Sequence, residues 1–383
     1  MRRGTVTTRA LSLEEALVAV DGARGLIAEQ AAKADKAAAF PEHSIAALAE
    51  AGLMSAAVPR AYGGHGFIAP QLTELAMRLG RLCGSTAMIW AMHQIQLACM
   101  EASAERQPEL AEYLSRAARE QLLIASVTSE EGVGGNLRAS KAAAVRVPGG
   151  VEITKRAPTV SYAEAADSFL VTARRDPDAA TGDQVLILVE AHQAKLRPTG
   201  PWDTLGMRGT CSGPQVITAV VPPWQVLAEP FGEIAARCMV PLSHVLWSAV
   251  WSGIAEDALH RSVRFVHAKL RNSVATPNPR VGWMHARSQM IKDSIRQFAA
   301  DYGADPRGPG LNVRANALKM QVSIDAVRVA ELALEVCGMA GYSEVGDFSV
   351  CRHLRDLYSA RLMISNDRLN AVNSEILPFG DFL

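Results

Sequence analysis

The first third of the chain carries its apolar residues at helical spacing. Ser12 and Glu15 form a capping-box pattern immediately before an apolar face. Two interruptions divide this region, at Phe40-Pro41 and at Gly63-Gly64-His65-Gly66, because proline and clustered glycines disfavour a helix. The residues on the predicted helical faces are Ala16, Leu17, Val20, Leu26, Ile27, Leu72, Leu75, Leu79 and Leu82.

From about Leu122 the pattern changes to short runs rich in β-branched residues, which are typical of strands. Pro148-Gly149-Gly150 separates two such runs and predicts a hairpin turn. After Pro222-Pro223 the helical spacing returns and predicts a long helix through residues 318–336. The predicted strands contain Val145 and Val147, Val151 and Ile153, and residues 169–173, 185–189 and 216–221.

The order of helices, strands and helices predicts an α+β fold. We expect an N-terminal helical domain (1–120), a middle β-barrel-like domain (121–228) and a C-terminal four-helix bundle (229–383). Two segments rich in proline and glycine, 273–282 and 303–310, should separate the later helices.

Composition narrows the classes of function. The 383 residues are 49% apolar, and 39 basic residues balance 39 acidic ones, so no basic surface for nucleic acid is expected. The uncharged segment 238–255 contains proline, histidine and serines, which favours a buried helix over a membrane span. Six scattered cysteines lack metal-ligand spacing, and no apolar leader follows Met1. We therefore expect a cytoplasmic protein without a metal site or a membrane partner.

The C-terminal motif is the most informative feature. Arg355-Asp356 is followed eight residues later by Ile364. The run resembles the closing helix of acyl-CoA dehydrogenases, in which a glutamate at that last position removes the α-proton of the substrate. Some relatives carry this base on the first C-terminal helix, a position that corresponds to Ser243. The resemblance therefore implies a flavin enzyme that lacks the usual catalytic carboxylate.

Residues 126–136 resemble the flavin-binding loop of that family. Glycines permit close approach to the cofactor, but Gly135-Asn136 stands where Ser-Asp is usual, the proline is missing and one residue is added near Glu131. Residues 155–162, followed by Ala166-Asp167 and the strand 169–173, resemble the region that lies against the flavin in the family, with Ala157 at a usual aromatic position. The cofactor-binding residues that the resemblance implies here are Ser126, Val127, Thr128, Gly134, Gly135, Thr159 and Ser161.

Two further motifs resemble elements that contact the flavin of a neighbouring subunit. Lys269 and Arg271 lie where the family has a pyrophosphate-binding arginine, and Gly338 and Gly341 lie in its glycine-rich loop, with Met339 replacing one glycine. The resemblance thus implies FAD, with FMN as the less favoured cofactor, in a homodimer or homotetramer.

The missing carboxylate leaves two reaction types open. A flavin oxygenase would use O₂ and does not need the base, whereas a dehydrogenase would need a relocated one such as Asp367 or Glu344. His93 and His244 are candidates for proton transfer, because histidine titrates near neutral pH. Residues predicted to contact an acyl thioester, on CoA or on a carrier protein, are Trp90, Arg208, Trp247 and Met363.

We favour the oxygenase, with a flavin reductase or an electron-transfer flavoprotein as the electron partner. A catalytically silent protein that only binds ligands remains the alternative from another class. A purified protein without flavin colour would indicate it.

Overall fold

The computed structural model describes residues 9–272, 278–308 and 310–379. Its N-terminal part is helical, as predicted. Ser12 caps the first helix: its Oγ accepts from the Glu15 amide at 3.2 Å, and the Glu15 carboxylate accepts from the Ser12 amide at 2.8 Å. The helices here are α1 (Leu13–Gly22), α2 (Arg24–Ala37), α3 (Glu42–Glu50), α4 (Ala69–Gly80), α5 (Gly84–Ala104) and α6 (Pro108–Glu120).

The middle part contains two sheets. One has the order β1-β4-β5, with β1 parallel to β4, and the other is antiparallel in the order β2-β3-β7-β6. The predicted hairpin is confirmed, since Val147 pairs with Gly150 across a two-residue turn. The strands are β1 (Ile124–Val127), β2 (Val145–Val147), β3 (Gly150–Ala157), β4 (Ser168–Arg174), β5 (Gln184–Glu190), β6 (Ala194–Pro198) and β7 (Gln215–Val221).

The C-terminal part is again helical. The long helix predicted through residues 318–336 is confirmed as α10, and α9 begins inside the predicted break at 273–282, of which residues 273–277 lie outside the described chain. The helices are α7 (Phe231–Ile234), α8 (Val240–Asn272), α9 (Pro279–Ala304), α10 (Leu311–Cys337), α11 (Met339–Tyr342), α12 (Cys351–Tyr358) and α13 (Asn366–Ile376).

Helix α8 is the central element of the fold and packs against α4, α9 and α10. Its approach to α4 requires glycine, because a Cβ on Gly253 would lie 2.3 Å from the Met77 carbonyl oxygen. By length and composition the stretch Phe231–Arg271 could cross a membrane, but 83% of its most apolar window is buried inside the protein. This burial agrees with the prediction of a core helix.

Candidate active site

One face of α8 presents polar side chains to α10 without satisfying them. His244, Ser248 and Trp251 are each at most 1% exposed, and Trp247 is partly buried. Within the described chain, neither ring nitrogen of His244 makes a hydrogen bond, nor does Ser248 Oγ or the indole nitrogen of either tryptophan. An unsatisfied buried polar atom costs about 1–3 kcal/mol. Several of them on one helix face indicate a site that a ligand or water completes.

Lys319 on α10 lies opposite this face. Its Nζ donates to the Ile364 carbonyl at 2.7 Å and to Asn366 Oδ1 at 2.8 Å, and it lies 5.8 Å from the centre of the Trp251 ring. Among the described residues no carboxylate pairs with Lys319 Nζ, and the side chain is fully buried. Burial lowers the pKa of Lys319 to about 8. The site therefore contains a cation without a counter-charge.

Ile364, at the position of the family glutamate, has a left-handed backbone with φ of 50°. A β-branched residue rarely adopts this conformation, which costs about 1–3 kcal/mol. The hydrogen bond from Lys319 holds the strained carbonyl in place. Ser243 is buried beside His244 on α8, and Met363 packs partly buried against the core.

Neither proposed substitute base is joined to this site by a described contact. Glu344 is mostly exposed and lies 3.4 Å from Arg355, and Asp367 is exposed in the first turn of α13. Among the described residues, no group of three or more His, Cys, Asp or Glu side chains could hold a metal ion. The chemistry available to this cluster is thus that of a histidine, a lysine and hydroxyls.

His244 is held in its neutral form. Burial, and then the charge of Lys319, lower the pKa of His244 to about 3, against a weak opposing effect of the Ala315 carbonyl, which does not form a well-aligned hydrogen bond. In the unfolded chain the group titrates near 6.5. Its neutral imidazole could donate one hydrogen bond and accept another.

This pKa predicts an acid-sensitive fold. Below pH 6.5 the unfolded chain binds a proton that the folded protein does not, so stability should fall by about 1.4 kcal/mol per pH unit as the pH drops towards 3. Urea unfolding of the flavin-free protein at pH 7.5 and 5.0 measures it. Between these two pH values, the free energy of unfolding of His244→Leu should fall by about 2 kcal/mol less than that of the wild type. The exposed His192→Gln is the control, and equal losses in all three proteins would refute the assignment.

The loop after β1 has a fixed base and an exposed tip. Ser126 and Val127 lie in β1, and Thr128 follows it. Glu130 then accepts from Ser140 Oγ and the Ala142 amide, both at 2.7 Å, and lies 3.4 Å from Lys155 Nζ. The two charged side chains are almost fully buried. Beyond this anchor, Gly132, Gly134 and Gly135 all have positive φ and lie at or near the surface.

Thr159 and Ser161 lie close to this loop. Thr159 is exposed, and its carbonyl accepts from Ser129 Oγ at 2.7 Å. Ser161 Oγ lies 2.8 Å from Ser212 Oγ, which lies 2.8 Å from Thr210 Oγ1. The structure thus brings these two predicted residues to the same edge of the middle part.

Lys269 and Arg271 lie near the end of α8, on a different part of the surface. A cavity of about 410 Å³ there is lined by Arg264, His267, Arg271 and Phe348. Lys269 Nζ lies 5.5 Å from the centre of the Phe265 ring. The chemistry of this lining suits an anionic and partly aromatic ligand.

Gly338 ends α10 with φ of 56°, and Gly341 is buried against Cys337. Met339, between these two glycines, is 79% exposed, and Tyr342, directly after Gly341, is 67% exposed. The glycine-rich loop thus projects apolar side chains outward, as an interface would.

Three predicted site residues have hydrogen-bond partners within the fold. The His93 ring accepts from the Ile124 amide at 3.1 Å and donates to the Met54 carbonyl at 2.7 Å. Trp90 is fully buried and donates to the Leu53 carbonyl at 2.9 Å. Both side chains therefore belong to the core, and their catalytic and substrate roles stay predictions. The helical pattern of α5, which is buried on nearly all sides, could have indicated this.

Arg208 is likewise committed to the fold. Its guanidinium donates to the Asp35 carbonyl at 2.9 Å, to the Thr204 carbonyl at 2.8 Å and to Asp203 at 3.0 Å. These contacts tie its loop to α2. A role of Arg208 in substrate binding stays a prediction.

The Arg355-Asp356 motif also has a structural explanation. Arg355 pairs with Asp35 and donates to the Leu205 carbonyl at 3.0 Å, and Asp356 accepts from the Met207 amide at 2.6 Å. The pair therefore joins α12 to the loop of the middle part, and it sets the path of the chain leading to Ile364.

Sequence reasoning missed Lys319, Glu130 and Arg368. Lys319 lies on the same face of α10 as Ala315 and Val322. A lysine at an otherwise apolar helical position could have indicated a buried functional residue. Arg368 donates to the Gly134 carbonyl from 234 residues away, and no local pattern predicts that contact.

The exposed glycine loop, the hydroxyls beside it and the unsatisfied groups of α8 fit a flavin nucleotide. The glycines permit close approach of a ligand to the loop backbone, and Arg368 places a cation beside the loop. The buried donors of α8 have no acceptor in the described chain, and a ligand could supply one. Thr159, Ser161 and the glycines would hold the cofactor, and Trp247 and His244 would border it.

Comparisons with known proteins agree with this geometry. Family models described as "Acyl-CoA dehydrogenase, N-terminal domain" and "Acyl-CoA dehydrogenase, C-terminal domain" match residues 18–135 and 241–363. The chain is 28% identical over 340 residues to a cyclohex-1-ene-1-carbonyl-CoA dehydrogenase of Geobacter metallireducens, covering 86% of this chain and 88% of the relative.

Oxygenase-type relatives are similar as well. An L-evernosamine nitrososynthase of Micromonospora is 26% identical over 369 residues, covering 91% of this chain and 85% of the relative. The FMN-bound structure of TdsC from Paenibacillus sp. A11-2 superposes with a TM-score of 0.81 at 21% identity, covering 95% of this chain and 96% of TdsC. At that identity the similarity concerns the fold.

Proposed function

Because the chain belongs to the acyl-CoA dehydrogenase superfamily, we propose that it is a flavin-dependent oxygenase that acts on an acyl thioester. The proposal is based on the residues at the two positions where acyl-CoA dehydrogenases carry the catalytic glutamate. Ile364 and Ser243 occupy them, and the charged side chain that contacts Ile364 is Lys319. A cation cannot remove an α-proton, and it would favour negative charge on a bound substrate instead.

The remaining groups suit such a reaction. A bound flavin supplies the electrons with which O₂ is activated. Neutral His244 can donate and accept a proton at its two ring nitrogens, which make no hydrogen bond to a described residue, and Lys319 stabilises developing negative charge. Trp247, Trp251 and Met363 keep the site apolar and restrict the access of water.

The thioester part of the proposal is supported by the Geobacter relative, whose name specifies a CoA ester. That same relative favours the second candidate function, an α,β-dehydrogenase with a relocated base. FAD is the proposed cofactor, because the cavity at Arg264 and Arg271 offers cations for a dinucleotide. A flavin reductase or an electron-transfer flavoprotein would supply or remove electrons.

We further propose that the protein is a homodimer or homotetramer. The support is the apolar surface formed by Met339, Tyr342 and Val345, which are 67–79% exposed beside the cationic cavity. Burial of this surface against a second copy would bring the cavity towards a neighbouring cofactor.

Labelled oxygen tests the reaction type. With reduced flavin, ¹⁸O₂ and a panel of acyl-CoA and acyl-carrier thioesters, we expect one ¹⁸O atom in the product by mass spectrometry. The matched free acids should give no labelled product. Enoyl-CoA formed without oxygen incorporation would establish the dehydrogenase instead.

A further inference from the structure

The exposed tip of the glycine loop lies between two cationic side chains. A Cβ on Gly132 would lie 2.3 Å from Lys141 Nζ, and a Cβ on Gly135 would lie 2.9 Å from Arg368 Nη1. Arg368 comes from the first turn of α13 and donates to the Gly134 carbonyl. The loop is therefore closed on one side by the guanidinium of a distant helix.

Neither cationic side chain forms an ion pair with a described residue. The Lys141 backbone amide donates to Glu130 at 3.1 Å, but no described carboxylate lies within 4 Å of Lys141 Nζ or of the Arg368 guanidinium, whereas the neighbouring Arg156 pairs with Glu131 at 2.8 Å. The hydrogen bond to Gly134 uses one of five guanidinium donors and leaves the others for a ligand. Such a fork recognises phosphate well.

The position of Arg368 also explains the altered motif. A serine at residue 135, as the family motif has, would bring its Cβ against Nη1 and would be strained at φ of 72°. Glycine at 135 and arginine at 368 are therefore compatible with each other, whereas serine at 135 and this arginine position are not. The guanidinium occupies the space that the serine side chain would need.

We propose that Arg368 binds the phosphate of the flavin nucleotide, in place of the serine that is missing at residue 135. Lys141 adds a second positive charge on the other side of the loop. This inference rests on the proposed function only in requiring that a flavin nucleotide binds at the loop. It does not depend on the reaction type.

Binding of three flavins separates this role from a structural one. Dissociation constants for FMN, FAD and riboflavin are measured by flavin fluorescence for the wild type, Arg368→Gln and the exposed control Arg146→Gln. A charge-assisted contact predicts that Arg368→Gln weakens FMN and FAD about 10- to 100-fold. Riboflavin, which has no phosphate, should bind both variants and the wild type equally, and the FMN affinity of the variant should depend less on salt.

Equal weakening of riboflavin would show that Arg368 only positions the loop, and unchanged FMN binding would show no contact; either result overturns the proposal. If Arg368→Gln does not fold, Arg368→Lys keeps the charge without the fork and should show a smaller, phosphate-specific loss. The double variant Gly135→Ser with Arg368→Gln should bind FMN more tightly than Arg368→Gln alone. A wild type that binds no flavin refutes the proposed function itself.

Discussion

Replacing Ile364 with glutamate should convert the protein into an acyl-CoA dehydrogenase. The substitution restores a carboxylate at the position where the family places its base, and it removes a β-branched side chain from a left-handed backbone. A positioned general base typically contributes about 10²–10⁴-fold to the rate. The rate of α,β-dehydrogenation should rise by that factor over the wild type.

The measurement is anaerobic stopped-flow mixing of the flavin-loaded protein with saturated acyl-CoAs. Bleaching of the oxidised flavin and formation of enoyl-CoA report the reaction. Ile364→Gln is the matched control, because it has the shape of glutamate without its basicity, and it should remain as slow as the wild type. Rapid bleaching by the wild type would mean that the base has moved elsewhere in the chain, and the oxygenase proposal would fail.

Replacing Lys155 with methionine should destabilise the fold by about 3–5 kcal/mol, because it leaves Glu130 buried without its counter-ion. Lys155 Nζ also donates to the Thr172 carbonyl at 2.8 Å and to Thr172 Oγ1 at 2.6 Å. Burial alone would raise the pKa of Glu130, but the Ser140 hydroxyl and the charge of Lys155 lower it. Burial lowers the pKa of Lys155 to about 8 despite Glu130, so the lysine is the less well compensated partner.

Urea unfolding at pH 7 measures this effect. The control is Arg156→Met in the same strand, which removes an exposed ion pair with Glu131 and should cost at most about 1 kcal/mol. Adding Glu130→Gln to Lys155→Met should recover part of the stability, since the uncompensated buried charge is then gone. A loss in Lys155→Met no larger than that in Arg156→Met would show that the buried pair does not hold the loop.

The sequence by itself determined the helices, most strands and the family. Helical spacing gave α1 and α10 because one face of each must be buried, and Pro148-Gly149 marked the hairpin because the turn requires those residues. Strands β1 and β6 escaped prediction, because β6 contains no β-branched residue and β1 pairs in parallel with the distant β4 and so has no hairpin turn to mark it. The replacement of the family glutamate by Ile364 was visible in the sequence, because the Arg355-Asp356 pair eight residues earlier marks the position of that glutamate.

Only the tertiary structure decided which polar residues serve the core and which remain free. His93 and His244 lie on apolar helices and look alike in sequence, yet His93 has backbone partners on both ring nitrogens and His244 has none in the described chain. The contacts of Lys319 with Ile364, and of Arg368 with Gly134, join residues 45 and 234 positions apart. Hydrophobic periodicity records which face of an element is buried, whereas hydrogen-bond partners depend on how separate elements pack, and that information is not local to any segment.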